Sequence, residues 1–79
     1  MVAAHVTADA IVEKIRSSLP TAQVKAVDMT GGGDHWQVSV RANEFKDKSL
    51  VEQHQMIYRA LGDWMHGPIH ALALDTKEA

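Results

Sequence analysis

From His35 to Ala42 the chain alternates without a break, with Trp36, Val38, Val40 and Ala42 on one side and His35, Gln37, Ser39 and Arg41 on the other. Side chains of a strand point by turns to its two faces, so this segment is a strand with one buried and one open face. Ahead of it, Ala22 to Met29 reads as a strand through Val24, Ala26 and Val27. The run Thr30-Gly31-Gly32-Gly33-Asp34 between them is a turn signal rich in flexible glycine. Two strands joined by a short glycine-rich loop predict an antiparallel hairpin.

Helical spacing appears on both sides of the hairpin. Thr7 is placed to cap a helix with Asp9 in its first turn, Ile11, Val12, Ile15 and Leu19 share a face, and Pro20 stops it. Ser49 followed by Glu52 is a capping-box signature. The helix it opens carries Leu50, Val51, His54, Ile57, Tyr58, Leu61, Trp64 and Met65 on one stripe, with Gly62 weakening its end and Gly67-Pro68 terminating it. Ile69 to Leu74 is a last strand, apolar except for His70, and such a run predicts an interior strand. The order is α-β-β-α-β. The second helix joins the second and third strands by a crossover, which makes those two strands parallel and right-handed in connection. The expected fold class is α+β, a small mixed three-stranded sheet with helices on one face. Residues 1–79 form a single domain, with an ordered core over about 7–75.

A chain of 79 residues buries only about 60% of its unfolded surface, which favours a surface or shared site over a deep one. It has no cysteine, and so neither a disulfide framework nor a thiolate-only metal site of its own. No apolar run approaches the roughly 20 residues of a membrane span, and Met1 to Thr7 lacks a signal-peptide pattern; a soluble, cytoplasmic protein is expected. Net charge is −2, without the basic excess of a nucleic-acid binder. No nucleophile–base pair or paired carboxylates are legible, and Gly31 to Gly33 lacks the lysine of a phosphate-binding loop, so no enzymatic activity is expected. Five histidines in so short a chain make histidine the residue type to follow.

Three segments together resemble the BolA family. Phe45 to Leu61 is similar to its pattern of a Phe, a short loop and a helix bearing a His; Gly67-Pro68-Ile69-His70-Ala71-Leu72-Ala73-Leu74 resembles its closing Ile/Val-His-Ala-Leu strand; Asp34-His35-Trp36-Gln37-Val38 is similar to its second strand. The family has Gly where Asp47 stands, and Asp tolerates a left-handed turn better than most residues. The resemblance implies a type II KH-like fold and a monothiol glutaredoxin as partner. It also implies a role in iron–sulfur trafficking or iron regulation, and for some members DNA-binding transcriptional regulation.

From the residues alone, His70 reads as a hydrogen-bonded structural histidine or a ligand, and His35 as an exposed histidine after a turn or a ligand carried on a mobile loop. The resemblance implies that His70 matches the family's cluster ligand, and that the loop between the first two strands supplies the second, for which His35 is the candidate. A [2Fe–2S] cluster accepts two histidines on one iron. A cysteine-free chain then needs sulfur from outside, which a glutaredoxin cysteine and glutathione would bring; alone, the chain would hold no cofactor and be a monomer or weak homodimer. Ligation requires neutral imidazole, so the bridged complex is expected to weaken in acid. His54 on the apolar stripe reads as a core or boundary residue, and His66 near the helix end as a weaker additional candidate. The alternative is a KH-like DNA-binding regulator using Arg41, Lys46, Lys48 and Arg59, although Asn43 to Ser49 lacks the G-x-x-G grip of KH domains.

Overall fold

The computed structural model describes residues 6–69 and 71–79, except for the side chain of residue 66. The elements follow the order α1 (Ala8–Ser18), β1 (Gln23–Asp28), β2 (His35–Ala42), a 3-10 turn (Asn43–Phe45), α2 (Leu50–Leu61), a second 3-10 turn (Gly62–His66) and β3 (Ala71–Glu78). Strands β1 and β2 form the antiparallel hairpin, from Gln23 opposite Arg41 to Asp28 opposite Trp36. Strands β2 and β3 are parallel, from His35 opposite Ala71 to Ala42 opposite Glu78. The sheet order is β1-β2-β3.

Local chemistry sets the ends of the helices. The Thr7 side chain accepts the Ala10 amide at 3.1 Å and starts α1. At α2 the Ser49 hydroxyl accepts the Glu52 amide at 3.1 Å while the Glu52 carboxylate accepts the Ser49 amide at 2.8 Å. This reciprocal cap satisfies two donors that the first turn would otherwise leave open. Asp47, in the turn before it, has φ of 61°, the left-handed conformation expected of a residue standing in for glycine.

The core lies between the helices and one face of the sheet. Ile11 and Ile15 of α1, Ile57 and Leu61 of α2, and Trp36, Val38 and Val40 of β2 are buried together with Phe45 and Ile69. Along β2 burial alternates as the sequence does, so His35, Gln37, Ser39 and Arg41 occupy the face away from the helices. The same two-residue period in β1 and β3 puts Val24, Ala26, Leu72 and Leu74 inward and leaves Lys25, Val27, Ala73 and Asp75 outward. Among the described residues, nothing covers this other face of the sheet, the bare face.

Three expectations are corrected. Strand β3 is an edge strand rather than an interior one, and it runs to Glu78 instead of stopping at Leu74. Its apolar run reflects a helix-covered face plus the small outward residues Ala71 and Ala73. Helix α2 ends at Leu61, because Gly62 takes φ of 57° and diverts the chain into a 3-10 turn before Gly67-Pro68 is reached. On α2 the buried residues are Gln53, Ile57, Ala60 and Leu61, whereas Leu50, Val51 and Tyr58 of the expected stripe are exposed. No helix among the described residues is long and apolar enough to cross a membrane.

Candidate functional site

The β1–β2 loop is fastened, and the fastening is a carboxylate. Asp28 Oδ1 accepts the amides of Thr30 at 3.2 Å and Gly31 at 2.9 Å, and Oδ2 accepts that of Gly33 at 2.9 Å. Gly31 and Gly33 adopt φ of 81° and 78°, a region that a side chain would strain, and this lets the loop curl its amides around the Asp28 side chain. The Trp36 indole donates to the Gly33 carbonyl at 3.0 Å, tying the loop to a core residue. The Met29 amide bonds the His35 carbonyl at 2.8 Å and closes the ladder. His35 is therefore the first residue of a paired strand, not a side chain on a swinging loop. Sequence reading missed Asp28, although an Asp just before Thr and glycines is a recognisable turn-forming signal.

The His35 side chain is about two-fifths exposed (39%) on the bare face, with Nε2 3.9 Å from Asp34 Oδ2. It borders an open pocket of about 330 Å³ between the loop residues Met29 and Thr30 and the start of β3, Ala71 to Ala73. Ala71 is the register partner of His35, and its amide bonds the Asp34 carbonyl at 3.1 Å. His70, which immediately precedes Ala71 in sequence, lies outside the described residues, as does the side chain of His66. Among the described residues no three His, Asp or Glu side chains gather to hold a metal ion. The described part of the site thus offers a single imidazole on an accessible rim, a donor set that fits shared ligation and falls short of a self-contained centre.

His54 belongs to another region. It sits in the second turn of α2, which starts just beyond the end of β2, while His35 stands at the beginning of β2. Its Nε2 is shielded from solvent without a hydrogen-bond partner, as are Gln53 Oε1 and Thr76 Oγ1. This is the boundary position that its place on the helix suggested.

The four expected nucleic-acid contacts come from three different elements. Arg41 is on the bare sheet face, Lys46 and Lys48 are exposed on the connection to α2, and Arg59 lines a groove beside Ser18 and Leu19 at the end of α1. Arg41 instead has Lys77 as its partner across β3, a pairing that depends on strand register and leaves no trace in the linear sequence.

The comparisons with known proteins agree with this architecture. Residues 10–79 match the family model for BolA-like proteins. Protein BOLA2 of Arabidopsis thaliana is 33% identical over 74 residues, covering 92% of this chain and 78% of its own. BolA-like protein 3 of Bos taurus is 34% identical over 69 residues, covering 85% of this chain and 62% of its own. The solved structure of a BolA homologue from Coxiella burnetii superposes with a TM-score of 0.73 at 30% identity, over 92% of this chain and 91% of its own. Two helices on one face of a mixed three-stranded sheet, and a family match running through all three strands, lead to one conclusion: the chain belongs to the BolA family.

Proposed function

We propose that this protein is a non-enzymatic adaptor that binds a monothiol glutaredoxin and shares a [2Fe–2S] cluster with it through His35 and His70, in iron–sulfur trafficking or iron regulation. The observation that supports this reading is the pairing of His35 with Ala71. The strand that His70 leads into starts beside His35, and His35 itself is half-exposed at an open, largely apolar rim. Two imidazoles would serve one iron, and the absence of cysteine from the chain assigns the sulfur ligands of the other iron to the partner and glutathione. The pinned loop adds preorganisation, since a ligand fixed in a strand loses less freedom on binding than one on a free loop.

The test is to mix the protein with cluster-loaded monothiol glutaredoxin and record visible absorption and circular dichroism. Wild type should produce a spectrum distinct from that of the glutaredoxin alone, with His70→Ala changing it most and His35→Ala changing it measurably. Identical spectra from all three proteins would remove the co-ligation reading.

A further inference from the structure

The bare face of the sheet is polarised along its strands. Its rows across β1, β2 and β3 are Gln23–Arg41–Lys77, then Lys25–Ser39–Asp75, then Val27–Gln37–Ala73, ending at His35 beside Ala71. Three cations and one carboxylate thus occupy one end, in a chain whose net charge is −2. Arg41 and Lys77 are directly opposite each other, an arrangement of like charges that costs stability in a sheet. Asp75 lies on the next row, yet among the described residues none of Lys25, Arg41 and Lys77 has a carboxylate within 4.0 Å. These side chains flank an open groove of about 290 Å³.

The other end is apolar. Val27 is 45% and Met29 58% exposed, beside the outward Ala73 and the His35 pocket. Arg41 lies six positions along β2 from His35, about 20 Å at the rise of a strand. An occupant of the whole face must therefore combine aliphatic groups at one end with negative charge at the other. Apart from the His35 imidazole at one end, the face carries no aromatic residue among those described, and so lacks the row of stacking rings with which sheets hold single-stranded nucleic acid. A peptide of mixed acidic and aliphatic character fits both ends.

We propose that the bare face is the docking surface for an extended segment of a partner protein, its carboxylates on Arg41 and Lys77 and its aliphatic side chains on Val27 and Met29. The charge complementarity stands on its own. The identification of this segment with the partner at His35 rests on the shared-cluster reading, because a group held by His35 lies over this same face.

The test uses the full chain, labelled with ¹⁵N, and a blocked peptide with two leucines at one end and three glutamates at the other, joined by serine and glycine. Saturable amide shifts are expected at Lys25, Val27, Met29, Ser39, Arg41 and Lys77, and not along α1 or α2. The double variant Arg41→Glu/Lys77→Glu should weaken binding by about tenfold, since it turns two exposed attractions into repulsions. Both side chains are exposed, so its urea midpoint should match wild type. The titration contains neither cluster nor glutaredoxin, so a failure of the cluster experiment leaves this result standing. Shifts centred on the helices, no saturable shift, or affinity unaffected by charge reversal would overturn the proposal. So would tighter binding of a short single-stranded DNA through the same residues.

Discussion

The Asp28 carboxylate accepts the Gly33 amide at 2.9 Å, fastening the last residue of β1 to the third glycine of the loop that precedes His35. The same side chain holds Thr30 and Gly31. Asp28→Ala leaves three amides without their acceptor, and bonds to a charged group are worth about 1.5–3 kcal/mol in favourable cases. The loop is part-exposed and water replaces some of this, so a loss of about 1–2 kcal/mol is expected in urea unfolding. Hydrogen exchange at Gly31 and Gly33 should quicken as well. In Asp28→Asn the oxygen can still serve Thr30 and Gly31 but the amide nitrogen cannot accept from Gly33, which predicts an intermediate effect. An unchanged midpoint and unchanged exchange in Asp28→Ala would mean that the glycines set the loop without the carboxylate.

Helix α2 gives a second prediction, from two adjacent residues. Ile57 is fully buried while Tyr58 is 43% exposed, and Leu50 and Val51 are more exposed still. Ile57→Ala should cost about 2–5 kcal/mol through lost transfer energy and a cavity. Tyr58→Gln and Val51→Gln should each stay within about 0.5 kcal/mol of wild type. Denaturant unfolding of the three variants checks it. A large loss at Val51 would show that the helix turns its broader stripe inward, as its periodicity alone suggests.

That contrast illustrates what the sequence made legible. The unbroken alternation from His35 to Ala42 fixed which residues of β2 face the core, because a two-residue period has only two solutions. Ser49 with Glu52 located the start of α2 through a cap formed entirely from local residues. Asp47 was readable as a left-handed position through the resemblance to a family that has glycine there. The burial of Leu50, Val51 and Tyr58 was not, since helical periodicity marks an apolar arc without saying how much of it a neighbouring element covers. The edge position of β3 also depends on where the crossover lands, and an apolar run reads alike in an edge strand with small outward residues and in an interior one. The partnership of Arg41 with Lys77 is a matter of register, which the linear sequence does not show.

A pH dependence follows from two exposed carboxylates. The Thr21 hydroxyl and amide both donate to Glu44, joining the α1–β1 connection to the turn after β2. The Thr21 hydroxyl holds the Glu44 carboxyl below its usual range, with burial acting in the opposite direction. Glu52 is lowered too, first by the Ser49 amide and then by its hydroxyl. A carboxylate with a depressed folded pKa binds protons more weakly than in the unfolded chain. Its contribution is therefore present above the unfolded value of about 4.3 and is lost as pH falls through the lower folded one. Thr21→Val and Ser49→Ala should each be less stable than wild type at neutral pH, and the gap should narrow towards about pH 3. Each variant should retain part of its deficit, because the Thr21 hydroxyl also accepts the Asn43 amide at 3.2 Å and the Ser49 hydroxyl the Glu52 amide at 3.1 Å. Thermal unfolding across that pH range measures both gaps; gaps that widen in acid would contradict the assignment.

Asp47 supplies the last prediction. Its φ of 61° is the only positive value at a non-glycine residue among those described. The left-handed region costs an ordinary L-residue about 1–2 kcal/mol, less for Asp, whose short polar side chain finds local hydrogen bonds. Substitution by a β-branched residue restores the full cost, so Asp47→Val should lose about 1–2 kcal/mol although the side chain is exposed. Asp47→Gly removes the strain but adds freedom to the unfolded chain, two effects of opposite sign and similar size, and should change stability by less than about 1 kcal/mol. Urea midpoints of the pair separate the two contributions. If Asp47→Val were as stable as wild type, the turn into α2 would have to abandon its left-handed residue. The Ser49–Glu52 cap, two residues further on, should then lose amide protection in the same variant.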